Sequence, residues 1–186
     1  MKTPKIKRIR RSVSRYFPKG HPKEGQPTYF VEKILKSLYF AGKVTLEDIQ
    51  NLNIKDFDWK VFETCFPKLH TCRAALDSWI EIVRKVNSGE YVLELFYWSG
   101  KPYHKDENGI GQVVFATIDK DSGCGVQKVE LNFKTLVSKV DGNPWNQNID
   151  EIGRNDGLNF EDFKEWFRKY DLSKPMAIIH FTNLRY

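Results

Sequence analysis

The fold class turns on Tyr91-Val92-Leu93-Glu94-Leu95-Phe96-Tyr97-Trp98. This run is rich in aromatic residues, which pack well on a pleated surface, and it begins just after Gly89, where the apolar spacing changes. Before it, Leu76, Trp79, Ile80, Val83 and Val86 recur at helical spacing and stop at Asn87-Ser88-Gly89, a natural helix end. After it, Gly111-Gln112-Val113-Val114-Phe115-Ala116-Thr117-Ile118 has the same strand character, and a third run over 126–133 places polar residues at alternate positions. Asn159 is placed to cap a helix over 160–170, with Phe160, Phe163, Trp166 and Phe167 apolar and Asp162 completing a capping box. Pro175-Met176-Ala177-Ile178-Ile179-His180-Phe181 reads as a closing strand.

Working upstream, a first strand over 12–17 ends at Pro18, Gly20 and Pro22. Thr28 is the expected N-cap of a helix over 29–41 that places Phe30, Ile34, Leu35 and Leu38 on one face. Thr45-Leu46-Glu47-Asp48 has the form of a capping box opening a second helix, and 58–65 forms a third short turn. A helical section of about 28–66 therefore separates the first strand from the others. Helices, then strands with one late helix and a closing strand, predict an α+β fold, a small β-barrel with flanking helices.

At 186 residues the chain suits one domain able to bury a core. No apolar run approaches the roughly 20 residues needed to span a bilayer, and no apolar stretch lies near the start, so a cytoplasmic protein with no membrane partner is expected. The three cysteines, Cys65, Cys72 and Cys124, have neither CxxC spacing nor paired histidines beside them. That argues against a disulfide framework or a structural zinc site, and no metal or cofactor is expected. The net charge of +6 is uneven: residues 1–23 hold nine Lys/Arg and no acid, and the remainder holds 21 basic against 24 acidic residues. Residues 1–11 are read as a basic arm, with Lys5, Lys7, Arg8, Arg10 and Arg11 contacting nucleic-acid phosphates, and 12–186 as the single domain. A solvated, frayed terminus accounts for the same residues equally well.

The informative short motif is Lys68-Leu69-His70-Thr71-Cys72-Arg73, followed by a helix and a strand. It resembles the signature of the ASCH group of PUA-like folds, with Lys68, Thr71 and Arg73 at the matching positions. Asp156, in Asn155-Asp156-Gly157-Leu158-Asn159, resembles the acidic residue that the family places just before its late helix. Phe17-Pro18, Gly25-Gln26-Pro27-Thr28 and Trp98-Ser99-Gly100-Lys101-Pro102-Tyr103 resemble features of bacterial and phage members of the group. The resemblance implies a PUA-like barrel that binds RNA, DNA or a modified nucleoside, with the helical section as an insertion after the first strand. It also implies a catalytic group: in the N4-acetylcytidine amidohydrolases of this family a lysine, a threonine and a glutamate act together. Here Lys68, Thr71 and Asp156 match them, Asp156 being one methylene shorter than glutamate.

The residue types suit such a site. Arg73 offers a planar fork of donors for a phosphate or a base edge. Thr71 and Arg73 share a face if the segment is extended, whereas Lys68 joins them only across a turn. A desolvated lysine can activate a hydroxyl, and a carboxylate can orient it. Trp98, Lys101 and Tyr103 border a loop between strands and are candidates for base stacking and a phosphate contact. Trp79, Phe163, Trp166 and Phe167 fall at core spacing. The plain alternatives are a solvated loop with an ion pair for Lys68, Thr71 and Arg73, a turn or helix-dipole role for Asp156, and a structural role for His70. Three functions follow: a nucleic-acid or nucleoside binding module, an amidohydrolase acting on N4-acylated cytidines, and a non-catalytic protein-interaction component.

Overall fold

In the computed structural model, which describes residues 6–186 with only the backbone at 144–147, the chain folds into eight strands and six helices. In chain order these are β1 (Lys7–Ser12), α1 (Phe30–Phe40), α2 (Leu46–Asn51), α3 (Trp59–Thr64), β2 (His70–Arg73), α4 (Leu76–Asn87), β3 (Tyr91–Trp98), β4 (Gln112–Ile118), β5 (Gly125–Asn132), β6 (Val137–Val140), β7 (Asn143–Asn148), α5 (Ile149–Asn155), α6 (Phe160–Phe167) and β8 (Met176–His180). The fold is α+β. Its strands form two sheets, ordered β1-β3-β4 and β2-β8-β5-β6-β7, and among the described residues no ladder joins them into the expected closed barrel. Among the described residues only β1 and β3 pair in parallel.

The two sheets share one core. Leu93, Leu95 and Tyr97 of β3 alternate inward, while β8 is buried at all five positions because both of its faces are covered. Helix α4 packs on β3, β5 and β8 and buries Trp79, Ile82, Val83 and Val86. Its helical stripe is thus the layer that both sheets close upon.

The first strand is a correction. It runs over Lys7–Ser12, not 12–17, so Lys7, Arg8, Arg10 and Arg11 are strand residues and not a free arm. Local preference does not dictate this strand, since Ile9 is its one apolar residue. Its backbone pairs with β3 from Lys7↔Tyr91 to Ser12↔Phe96, and Glu94 of β3, only 6% exposed, faces Arg8 at 3.3 Å and Arg10 at 2.7 Å. As an edge strand it also uses basic side chains to discourage pairing with another chain. Lys5 lies outside the described residues.

The helical section forms as expected. Thr45 and Asp48 cap α2 reciprocally, and the Asp58 carboxylate accepts the Val61 N–H at 2.9 Å to start α3. Helix α1 starts one residue late: Tyr29 takes a left-handed φ of 57°, while the Thr28 hydroxyl still accepts the Phe30 N–H at 3.3 Å. Asn159 caps α6 through the Asp162 N–H at 2.8 Å, but the Asp162 carboxylate turns to Lys23 at 2.6 Å, so the box is half made. Among the described residues no helix is long and apolar enough to cross a membrane.

Candidate functional site

Lys68 is fixed by its backbone before its side chain acts. Its N–H donates to the Lys33 carbonyl of α1 at 3.0 Å, and the Leu69 N–H donates to the Asn155 carbonyl of α5 at 2.8 Å. The side chain then runs inward to 2% exposure, and its ammonium donates to both the carboxylate and the backbone carbonyl of Asp156. It also lies 4.3 Å from the centre of the Phe30 ring. Gly157 makes this path possible: its φ is +82°, and a Cβ there would stand 3.2–3.3 Å from the lysine stem. The Lys33 ammonium closes the region by donating to the Gly157 carbonyl at 2.7 Å.

The carboxylate of Asp156 also lies 3.4 Å from the Cys72 N–H. Asp156 closes α5 as its C-cap, three residues ahead of Asn159, so no helix N-terminus holds its charge. Burial pushes the Asp156 carboxyl up and the Lys68 ammonium down, and each partner's charge opposes the other's shift. Both burial effects favour moving the shared proton toward a neutral pair.

Strand β2 pairs antiparallel with β8, Thr71 opposite Ile179 and Arg73 opposite Ala177. Alternation sends Thr71 and Arg73 to one face and His70 and Cys72 to the other. Thr71 and Arg73 line a cleft walled by Phe30 and Ile34 of α1 and by Leu93 and Leu95 of β3. Lys68 reaches the same cleft, and Asp156 stands behind it. The Thr71 hydroxyl makes no hydrogen bond to any described residue, Lys68 included. At the mouth, Arg73 Nη2 donates to the Ser12 carbonyl at 3.2 Å, and Arg11 lies 5.5 Å over the Trp79 ring. Counted out to that mouth the cleft holds about 360 Å³, but only about 10 Å³ of it admits the centre of a water molecule, room for about one water.

The other expected site residues lie elsewhere. Trp98 shares the outward parity of Glu94, not the inward parity of Leu93 and Leu95, so it points away from the cleft. It pairs with Tyr103 at 5.0 Å between ring centres, and Tyr103 is 88% exposed. Lys101 is exposed in the same loop. Of the expected arm, Arg8 and Arg10 are engaged by Glu94, Lys7 sits 5.3 Å over the Tyr91 ring, and Arg11 alone reaches the cleft.

His70 is structural. Its Nε2 lies 3.2 Å from the Ile152 carbonyl, which fixes it as the donor, and Nδ1 accepts from the Tyr186 hydroxyl at 3.1 Å. The Tyr186 oxygen in turn accepts from Asn155 Nδ2 at 2.7 Å. Full burial drives the His70 pKa well below its usual value, so the ring stays neutral. Phe30, Lys33 and Gly157 are site residues that sequence reasoning missed. Phe30 reads as an ordinary apolar helix position, and nothing in sequence pairs Lys33 with Gly157. Among the described residues no group of three or more His, Cys, Asp or Glu is placed to hold a metal ion.

No family model matches the chain, and neither does any curated protein or any solved structure. The likeness to the ASCH group therefore rests on the quoted residues alone.

Proposed function

We propose that the chain is a nucleoside-binding module of the ASCH/PUA-like type, acting on RNA or DNA through the cleft of Lys68, Thr71 and Arg73. The observation that carries this reading is a buried lysine–aspartate pair beneath an unengaged threonine hydroxyl and a mouth arginine. Buried charges are costly, and a pair with no evident gain over apolar packing is often retained where it serves a site. Thr71 supplies a donor and acceptor for a base edge, and Arg73 a fork for a base or phosphate. The apolar walls from α1 and β3 suit the faces of a base. Because the closed cleft admits about one water, entry requires Arg73 to release Ser12, which costs about 0.5–1.5 kcal/mol for one exposed hydrogen bond. Equilibrium binding of cytidine, uridine, adenosine and N4-acetylcytidine to wild type and Thr71→Val tests it. Saturable binding weakened in the variant supports the reading, and no binding across the panel sinks it.

A second reading, an N4-acylcytidine amidohydrolase, draws on the same hydroxyl. Thr71 Oγ1 would attack the acyl carbon, its proton passing through a neutral Lys68 to the departing N4 amine, and water would then free the acyl group from Thr71. Burial of both Lys68 and Asp156 favours the neutral pair this needs. Release of cytidine by wild type and its loss in Thr71→Ala is the expected result. No release by wild type removes this reading and leaves binding alone.

A further inference from the structure

Arg73 belongs to two clefts. Beyond the Ser12 contact it also borders an opening between the loop ahead of α1 and the end of α6, where Lys19, Arg168, Lys169, Trp166 and Tyr170 join it. This second cleft holds about 740 Å³ to its mouth, and about 280 Å³ of it admits water centres, so it is open where the first is shut. Four cations converge there from three distant stretches of chain. Against them stands Glu165, whose carboxylate lies 3.4 Å from Arg168. Among the described residues Lys19, Arg73 and Lys169 form no ion pair within 4.0 Å, and Arg73 feels the Asp156 carboxylate only at longer range.

A plain explanation covers part of this. Arg168 and Lys169 follow α6, where cations complement the helix dipole. It does not cover Lys19 or Arg73, nor the closeness of the two segments. The Arg168 Nη2 donates to the Gly20 carbonyl at 3.0 Å, and Lys169 Nζ stands 3.0 Å from where a Gly20 Cβ would lie. Four cations facing one carboxylate in a groove repel one another, and a bound anion relieves them. The remaining neighbours do not supply that anion. Glu24 turns its carboxylate to the Gly20 N–H at 2.8 Å. The His21 ring is engaged elsewhere, its Nδ1 accepting the Lys23 N–H at 3.0 Å and its Nε2 lying 3.2 Å from the Asp162 carbonyl. The Trp166 ring is held in place by Phe17 at 5.9 Å and Phe30 at 5.5 Å, a fixed aromatic wall beside the cations.

We propose that this second cleft holds the phosphodiester backbone of a single-stranded polynucleotide one of whose nucleosides enters the first cleft, with Lys19, Arg73 and Lys169 on the phosphates and Trp166 beside a neighbouring base. The proposal rests on the nucleoside reading of the first cleft and narrows it: the ligand is a strand, not a free nucleoside. A single strand is required because a base leaves a duplex stack only at a cost, and stacking on aromatic side chains is how unpaired bases are held.

The test is fluorescence anisotropy with labelled eight-nucleotide RNA and DNA of one sequence, at about 50 and about 200 mM salt. It compares wild type, Lys19→Ala/Lys169→Ala, Thr71→Val, and a control pair of exposed lysines away from the cleft, Lys134→Ala/Lys139→Ala. Each phosphate neutralised on a single strand contributes about 0.7 to the salt slope, so the cleft variant should be shallower by about 1.4. Across that salt range wild type then loses affinity about sevenfold further than the variant does. RNA and DNA binding with this slope change both support the phosphate cleft, and a preference between them names the strand. A wild-type slope in the cleft variant, or an equal drop in the control, overturns it. If that happens while Thr71→Val still loses affinity, the nucleoside reading survives alone; if wild type binds neither strand and no nucleoside, both fall.

Discussion

Exchanging Lys68 for methionine keeps the length of a side chain that passes Gly157 and Phe30 but removes its ammonium, leaving the Asp156 carboxyl, 4% exposed, without a cation. Taking one partner out of a buried pair costs about 3–5 kcal/mol, because the other stays desolvated and uncompensated. In a domain of this length each kcal/mol moves Tm by about 2–4 °C, so the expected fall is about 6–20 °C. The loss has a pH signature. With Lys68 gone, the burial that raises the Asp156 pKa acts without its largest opponent. A carboxyl whose folded pKa lies above its unfolded value, about 3.9, gives stability that is complete below that value and lost as pH rises through the folded pKa. The variant's deficit against wild type is therefore largest at neutral pH and shrinks toward pH ~4. Adding Asp156→Leu removes the orphaned charge and should recover most of the loss, since an apolar replacement for a buried pair is often neutral or better. Calorimetry across pH on the two variants and wild type decides it. A deficit under about 1 kcal/mol, one that ignores pH, or a double variant no better than the single would refute the argument.

Gly157→Ala forces a left-handed φ on alanine and pushes the Lys68 stem, and urea unfolding should show a loss of about 1–3 kcal/mol. Glu94→Gln removes the carboxylate between two arginines that are themselves 66% and 45% exposed, so the cost is about 1 kcal/mol, read as faster amide exchange in β1. His180 is buried with its pKa lowered to about 3. Its stabilising contribution is full above the unfolded value of about 6.5 and is lost as pH falls from there toward about 3, at up to about 1.4 kcal/mol per pH unit. In His180→Gln the stability–pH slope in that window should be smaller by about one proton, and an unchanged slope would reassign the proton uptake.

What the sequence made legible follows where one interaction dominates. α4 and β3 fall where spacing and aromatic content place them, because burial against one core decides both. β1 was not legible: Lys7-Arg8-Ile9-Arg10-Arg11-Ser12 has little strand preference, and its partner Glu94 lies more than eighty residues on. β6 is only four residues long, and β7 holds Pro144 at the sheet edge, where a missing N–H is tolerated. Helix α5 went unread, and with it the place of Asp156, which ends one helix as well as preceding another. In the site, the shared face of Thr71 and Arg73 was legible from strand alternation. The same alternation applied to Glu94 and Trp98 would have put Trp98 outside the cleft. The Lys68 path past Gly157 and the closing of the mouth by Arg73 on Ser12 are contacts between distant segments, and no local pattern encodes them.

The most direct test of the central claim is a titration of N4-acetylcytidine, and of cytidine beside it, into ¹⁵N-labelled protein while amide shifts are followed. The account predicts saturable changes concentrated at Thr71, Arg73, Ser12 and Phe30, as a ligand enters the cleft and Arg73 leaves Ser12. Changes confined to the Trp98–Tyr103 loop, or none at either ligand's solubility limit, would contradict it.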